Sequence, residues 1–323
     1  MPIPGLGSAP AEPFRAFPPG VYQDARIHVG HRRAGLGDGG GTLVTRTAHF
    51  ELYRSPERWC LIHELHPDQL SNDLTGMLVD ELFAPGWLQG NPTFESAFTG
   101  LVRTTIDDPL RAWLVFYRNT LGDLQHARSP HSGGRPAGTT AGMAPVYDRA
   151  LTLVPAGRVL DLGSCFGFLP LLLTGTRRHT VTASDISAPT MTLLATVAHA
   201  LGRRIETIAC DAARVPLPDN AVDTVTAIHL LEHLTPEHTM AVLREALRLA
   251  RRRVIVAVPF EPEPNPAFGH RQTFDLPALT EIGRGLGTRC AVFEHHGGWL
   301  VLVPECADAT DPVTHRPGPD RHR

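Results

Sequence analysis

The second half of the chain alternates short apolar segments with stretches of helical periodicity. The apolar segments predict five β-strands, at residues 158–162, 180–185, 205–210, 223–228 and 254–258. Helices are predicted between them, at the run FLPLLL and at residues 188–201 and 236–250, and Arg251-Arg252-Arg253 is expected to complement the end of the last one. Strands that alternate with helices in this way predict βαβ units and a parallel sheet.

The end of the chain departs from this alternation. Residues 289–294 and 300–303 are both strand-like, and only residues 295–299 separate them. Because a parallel crossover needs about a dozen residues or more, this pair must form an antiparallel hairpin. The expected fold class is therefore α/β, with a Rossmann-like, mostly parallel sheet that ends in an antiparallel hairpin.

The first part of the chain has a different pattern. Residues 42–53 predict one strand, Ser55-Pro56 a turn and residues 58–65 a second strand, which together indicate a hairpin. Helical periodicity follows, with a break at Asp107-Asp108-Pro109. We interpret this part as an α+β extension that serves as a substrate or dimerisation module.

Composition sets the expected boundaries. Residues 1–20 and 307–323 are rich in Pro and small residues and are expected to be disordered. The α+β domain is placed at 21–126, a Gly/Ser/Pro-rich linker or lid at 127–142, and the parallel-sheet domain at 143–306.

Charge and cysteine usage exclude several classes of function. The chain of 323 residues has 30 basic and 33 acidic side chains, a balance that argues against nucleic acid or a membrane surface as partner. All the basic residues are arginine, which excludes a Schiff-base lysine and a P-loop lysine. The five cysteines form no CxxC pair, so thiols in a reducing cytoplasm are expected. No apolar run approaches the about 20 residues that span a bilayer, and the N-terminus lacks the features of a signal peptide.

Acidic residues follow three successive predicted strands. Asp161 ends the first strand and precedes the turn Gly163-Ser164-Cys165-Phe166-Gly167, whose glycines let the backbone approach a ligand closely. Asp185 ends the second strand, where a doubly wound sheet binds ribose hydroxyls, and Asp211 follows the third, within reach of an adenine amino group. Three acids at the carboxyl ends of neighbouring strands predict a nucleoside site.

Two kinds of nucleoside cofactor fit such a site. The dinucleotide fingerprint G-x-G-x-x-G is absent, because Gly163 and Gly167 are spaced G-x-x-x-G. S-adenosylmethionine (SAM) has no phosphate, and its sulfonium and ammonium groups suit the carboxylate of Asp161. An NAD(P)-dependent oxidoreductase and a non-catalytic nucleotide-binding protein remain alternatives.

The motifs resemble those of the class I SAM-dependent methyltransferases over residues 145–304. VLDLGSCFG is similar to the first family motif, SDIS to the second, and CDAARVPLPDNAVDTVTAIHLLEHL to the stretch beyond the adenine-binding acid. The resemblance implies a SAM site formed by Asp161, Gly163, Ser164, Cys165, Gly167, Asp185, Ile186, Asp211, Ala212 and His229. Cys165 departs from the family, which usually has Gly there, and this tightens the turn beside the methionine moiety.

A narrower resemblance concerns the acceptor. GSCFGFLPLLL, GHRQTFDLPALTEIG, the N-terminal extension and the Arg-, Ala- and Gly-rich composition are similar to the methyltransferase associated with mycofactocin biosynthesis in actinobacteria. This implies O-methylation of a glucose in the oligosaccharide of that redox cofactor, with a glycosylated cofactor as partner. Another small-molecule acceptor is the alternative. The oligomeric state is not predicted.

The predicted catalytic residues follow the fourth and fifth strands. A sugar hydroxyl is a weak acid, so a general base is expected, and the candidates are His229, His233 and His270, with Glu232 assisting. His229 to His233 also match H-x-x-E-H, but a strand-to-helix loop lacks the helical face that a zinc protease needs. Glu232 and His233 could hold a divalent metal, although none is expected from the sequence.

Overall fold

The computed structural model describes residues 12–35, 41–127, 138–266 and 268–304. Within these ranges the chain divides into two compact units. The first contains the described residues up to Pro145 together with 192–202, 266 and 268–269, and the second contains 146–191, 203–265 and 270–304. The expected tail at 307–323 lies outside the described residues, as do 1–11 and most of the expected linker, 128–137.

A five-stranded mixed sheet forms the base of the first unit. Its strands are β1 Val21–Gln23, β2 Ile27–His31, β3 Thr42–Arg46, β4 Phe50–Arg54 and β5 Trp59–His63, in the order β1-β2-β5-β4-β3. The β4–β5 hairpin is confirmed, and β2 pairs in parallel with β5. The single strand predicted at 42–53 is wrong, because the hydroxyl of Thr47 accepts the N–H of Phe50 and closes a turn between β3 and β4.

Helices follow the five-stranded sheet. They are α1 Leu74–Leu78, which continues into a π-helical turn at Val79–Phe83, α2 Asn91–Thr105 and α3 Pro109–Ala127. Gly100 lets α2 lie close to β2, because a Cβ there would stand 2.4 Å from Cγ2 of Val29. The carbonyl of Pro13, in the stretch expected to be disordered, accepts hydrogen bonds from Arg103 and Trp113. A further helix, α4 Thr139–Leu153, leads into the second unit.

A seven-stranded sheet forms the centre of the second unit. Its strands are β6 Gly157–Leu162, β7 His179–Asp185, β8 Ile205–Ala209, β9 Val222–Ile228, β10 Ala250–Val258, β11 Arg289–Glu294 and β12 Gly298–Val303. The order is β11-β12-β10-β9-β6-β7-β8, and β12 runs antiparallel to both neighbours while the other pairs are parallel. The predicted fold class, including the terminal hairpin, is therefore confirmed.

The helices of the second unit connect these strands. They are α5 Phe168–Thr174, α6 Ala188–Ala200, α7 Pro236–Leu249 and α8 Leu276–Gly285. The assignment of Arg251–Arg253 to the end of a helix is wrong. Ala250 already has extended backbone angles, and Arg253 pairs with Thr224 on β9, so the three arginines belong to β10.

The strand order places a crevice beside β6. The chain moves outward from β6 through β7 to β8, and then returns to the other side of β6 to add β9 and β10. Ligands of open α/β sheets bind at the carboxyl ends of strands where the order reverses in this way. The predicted acids and histidines follow these strand ends. In the described part of the chain, no helix is long and apolar enough to cross a membrane.

Candidate active site

Asp161 places a buried carboxylate at the end of β6. Its side chain is almost inaccessible, and Oδ1 accepts a hydrogen bond of 2.6 Å from the hydroxyl of Thr226 on β9. Burial raises the pKa of Asp161 to about 6, although hydrogen bonds from Thr226 and Ser164 oppose the shift. Such a carboxylate gains from a cationic group bound beside it, which is what the sulfonium and ammonium of SAM offer.

The turn after β6 alternates left-handed residues with ordinary ones. Gly163, Cys165 and Gly167 have φ angles of 64°, 49° and 72°. Gly163 cannot carry a side chain, because a Cβ would lie 2.6 Å from Cδ1 of Leu230. Cys165 holds a side chain where glycine is favoured, and its N–H donates 3.0 Å to the carboxylate of Asp185. The turn is thus closed against the next acid of the site.

Asp185 is fixed by backbone donors at the end of β7. One carboxylate oxygen accepts from Cys165, and the other accepts from the N–H of Ser187 at 2.9 Å. Burial raises the pKa of Asp185, and these hydrogen bonds act against it. The next residue, Ile186, is 58% exposed, although it is large and apolar. An acid beside an uncovered apolar side chain suits a ribose with its attached purine.

Asp211 follows β8 and is held from two sides. Its Oδ1 accepts the N–H of Ala213 at 2.8 Å and lies 3.0 Å from Nε2 of His238. His238 stands in the first turn of α7, where the hydroxyl of Thr235 accepts its backbone N–H. Ala212 packs on the core beneath this acid. The structure therefore gathers all three predicted acids at neighbouring strand ends.

Two residues near the acids, His238 and Tyr147, were not predicted from the sequence. His238 reaches Asp211 only because β8 ends beside the start of α7, a proximity that no local pattern encodes. Tyr147, on α4, is half-buried beside Asp161 and Cys165. Burial raises the pKa of Tyr147, and the negative charge of Asp161 adds to the shift. A tyrosine ahead of the first strand carried no sequence signal.

Half-buried His229 and buried Glu232 lie next to each other after β9. His229 has a φ of 54°, and its backbone N–H donates 2.9 Å to Ala257. Its Nδ1 lies 3.3 Å from Oε1 of Glu232, but the two are poorly aligned, and both carboxylate oxygens of Glu232 have no hydrogen-bond partner among the described residues. Burial raises the pKa of Glu232 and lowers that of His229, which favours the neutral form of both groups.

His233 and His270 complete the cluster. Their rings meet edge to face with centroids 4.9 Å apart, and Nδ1 of His270 lies 2.6 Å from a carboxylate oxygen of Glu261. One ligand atom each of Glu232, His233 and His270 lies within 4.8 Å of the other two. The four predicted catalytic residues are therefore brought together. Leu231–His233 forms a 3-10 turn, so the H-x-x-E-H match has no helical face, as expected.

The second unit has the Rossmann-like fold that was predicted for a class I methyltransferase. Its doubly wound sheet carries one reversed strand, three carboxylates follow successive strand ends, and one of them, Asp185, accepts a backbone N–H from the glycine-containing turn.

Residues 160–258 match the family model described as a methyltransferase domain. The chain is accordingly a SAM-dependent methyltransferase, with SAM as cofactor, and the expectation of this enzyme class is confirmed.

Among solved structures, the chain is similar to a SAM-dependent methyltransferase from Aquifex aeolicus, with 16% identity and a TM-score of 0.42 over 57% of this chain and 96% of that one. It is also similar to the magnesium protoporphyrin IX methyltransferase of Synechocystis PCC 6803 with bound S-adenosylhomocysteine (SAH), with 16% identity and a TM-score of 0.42 over 57% of this chain and 94% of that one. No curated protein matches the chain.

Proposed function

We propose that the protein transfers the methyl group of SAM to a hydroxyl of a saccharide, and that its acceptor is a glucose of the mycofactocin oligosaccharide in actinobacteria. The observation that supports O-methylation is the cluster of His229, Glu232, His233 and His270 beyond the ends of β9 and β10. A sugar hydroxyl is a poor nucleophile until its proton is removed or its oxygen polarised. The cluster supplies groups for both tasks beside the cofactor acids.

Five side chains of the second unit would hold the cofactor. Asp161 would face the cationic methionine end, and Cys165 would lie along it. Each oxygen of Asp185 accepts one backbone N–H, and a carboxylate has about four lone-pair sites, so it can also accept the ribose hydroxyls. Ile186 would cover the adenine ring. Asp211, oriented by its neighbours, would accept from the adenine amino group.

The cofactor supplies an electrophilic methyl group, and the chain supplies position and a proton acceptor. Because methyl transfer from SAM would need the acceptor oxygen in line with the methyl group, alignment by the residues of the chain would account for most of the rate. The hydroxyl proton passes to the cluster. The carboxylate of Glu261, 2.6 Å from Nδ1 of His270, stabilises positive charge that develops on this imidazole.

The proposal also includes the cellular compartment and the binding partner of the protein. The described cysteines Cys60, Cys165, Cys210 and Cys290 are thiols and form no disulfide with one another. This supports a reducing cytoplasm, where a glycosylated small-molecule acceptor, and neither nucleic acid nor membrane, is the partner.

Mass spectrometry tests the acceptor. The purified protein is incubated with SAM carrying a deuterated methyl group and with glucosylated acceptors. We expect the label as a methyl ether on one glucose hydroxyl. Label on nitrogen or carbon, or no transfer to any saccharide, would contradict the proposal.

A strain that lacks the gene separates the two parts of the proposal. We expect its mycofactocin oligosaccharide to lose one methyl group, which returns when the gene is restored. If the oligosaccharide is unchanged while the purified protein methylates a saccharide, mycofactocin is rejected as the acceptor and saccharide O-methylation stands.

A further inference from the structure

We propose that Glu232, His233 and His270 form a binding site for a divalent first-row transition metal ion. One ligand atom of each residue lies within 4.8 Å of the other two. Such ions hold nitrogen and oxygen ligands at about 2.0–2.2 Å, so atoms on opposite sides of one ion are about 4.0–4.4 Å apart. Small side-chain rotations would bring the three groups onto a single ion.

The state of the Glu232 carboxylate points to a cation independently of these distances. The side chain is 1% exposed. Nδ1 of His229 lies 3.3 Å from Oε1 without forming a hydrogen bond, so neither carboxylate oxygen has a hydrogen-bond partner among the described residues. A buried carboxyl group without partners is costly, and native structures rarely leave one in that state. A bound metal ion would satisfy both oxygens.

The surroundings of His270 are those of a metal ligand. A carboxylate oxygen of Glu261 lies 2.6 Å from Nδ1. Histidines that bind metals commonly donate their second ring N–H to a carboxylate, which fixes the tautomer and the ring orientation. With Nδ1 bonded to Glu261, Nε2 is the nitrogen that His270 would present to the ion.

The backbone joins the two segments that carry the ligands. Glu232 and His233 lie on the turn between β9 and α7, whereas His270 follows β10. The N–H of Arg271 donates 2.7 Å to the carbonyl of Glu232, so the two segments are hydrogen-bonded at the ligands themselves. The site is thus preformed, which reduces the ordering that metal binding would require.

The ligand types select the metal. Two imidazoles and one carboxylate suit zinc, iron, cobalt or manganese better than magnesium or calcium, which prefer oxygen ligands only. Three protein ligands leave coordination positions open. An acceptor hydroxyl could bind there and lose its proton more readily; this role rests on the function proposed above, whereas the site itself does not.

Metal binding to the full chain tests the site without any assay of methyl transfer. Chelator-treated protein is titrated with Zn²⁺, Mn²⁺ and Mg²⁺ by calorimetry, and its absorption spectrum is recorded with Co²⁺. We expect one transition metal ion per chain, little affinity for Mg²⁺, and cobalt ligand-field bands in the visible range.

Variants locate the ion. Glu232→Gln and His270→Asn should lose at least about 10-fold in affinity, and Glu261→Gln about 10–100-fold through the orientation of His270. His296→Asn, on the exposed β11–β12 turn, should bind as the unmodified chain does, and circular dichroism checks the fold of each variant. An unmodified chain that takes up no transition metal, or variants that bind it unchanged, would overturn the site. If the chelator-treated chain takes up no transition metal but still binds SAM and transfers methyl groups to a saccharide, the metal site is overturned while the proposed function stands.

Discussion

Asp161 shows how one residue of the site works against stability. Its pKa in the folded state is raised from 3.8 to about 6, chiefly by burial. The folded chain therefore binds this proton more tightly than the unfolded chain does. The resulting stabilisation is complete below the unfolded pKa and is lost as the pH rises through 6, and a shift of about two units corresponds to about 3 kcal/mol.

Asp161→Asn should therefore stabilise the protein at pH 7.5 in the absence of cofactor. The amide can still accept from Thr226, and it carries no charge to bury. We expect a gain of about 1–3 kcal/mol in the free energy of unfolding at pH 7.5, which narrows towards pH 5, together with weaker SAM binding. Urea denaturation at several pH values measures the free energy of unfolding, and the variant Asp68→Asn, at an exposed position, is the control. A difference that does not vary with pH would refute the account of this carboxylate.

Cys165 is the second residue of the site that lowers the stability of the folded chain. A non-glycine residue with a φ of 49° is disfavoured by about 1–2 kcal/mol, part of which glycine returns through the entropy of the unfolded chain. We expect Cys165→Gly to raise the unfolding free energy by up to about 1 kcal/mol and to keep SAM affinity, because the N–H that donates to Asp185 remains.

Cys165→Ala is the matched control for this change. It removes the thiol but keeps the Cβ, so it should give no such gain in thermal unfolding. Equal stability of the glycine and alanine variants would show that the left-handed backbone is not strained.

Individual site residues could be predicted from the sequence where they directly follow a recognisable strand. Asp161, Asp185, Asp211 and His229 could be placed because apolar segments mark the strand ends. His238 could not, because its approach to Asp211 depends on where α7 begins in space.

At the scale of elements, the strands of the seven-stranded sheet were predicted well and their limits less well, whereas β1 and β2 of the first unit were not predicted. An apolar run bounded by turn residues is a local signal, whereas pairing with a neighbour can extend a strand beyond it. Arg251–Arg253 illustrate this, because β10 continues through charged residues beside β9. The strand predicted at 42–53 failed for the opposite reason, since a turn made by the Thr47 side chain interrupts residues of high strand propensity.

The start of α7 offers a test of how an element positions the cofactor. The hydroxyl of Thr235 caps the helix by accepting the N–H of His238, whose ring lies 3.0 Å from Asp211. Thr235→Ala should lower the unfolding free energy by about 1 kcal/mol. It should also weaken SAM binding, because the orientation of Asp211 is lost.

Thr235→Ser provides the comparison, since serine keeps the capping hydroxyl. It should remain near the unmodified chain in chemical denaturation and in calorimetric SAM titration. If the alanine variant loses stability but binds SAM as before, the helix start does not organise the adenine end of the site.

At the scale of the whole molecule, sequence order and spatial units diverge. The predicted boundary at 142/143 assigns all of α6 to the methyltransferase domain. By spatial contacts, however, residues 192–202 cluster with the N-terminal residues, and Leu194 and Val197 in this segment are fully buried. The sequence pattern could not predict this clustering, because an apolar helix has the same periodicity whichever unit it packs in.

A chain that begins at Gly138 tests this division. It would lack the N-terminal residues with which 192–202 cluster. We expect apolar side chains of this segment to become exposed, so the shortened chain should unfold at a lower temperature than the full chain. Differential scanning calorimetry measures the two midpoints. Equal midpoints would mean that this segment does not depend on the N-terminal residues.

The proposed SAM site depends most on the three acids at the ends of β6, β7 and β8. Calorimetric titration of the unmodified chain, Asp185→Ala and the exposed control Glu281→Ala with SAH and with NAD tests it. We predict that the unmodified chain and the control bind SAH and not NAD, and that Asp185→Ala weakens SAH binding by about 1.5–3 kcal/mol, since hydroxyls of the ribose lose their acceptor. Unchanged SAH affinity in Asp185→Ala, or tight binding of NAD, would contradict the assignment.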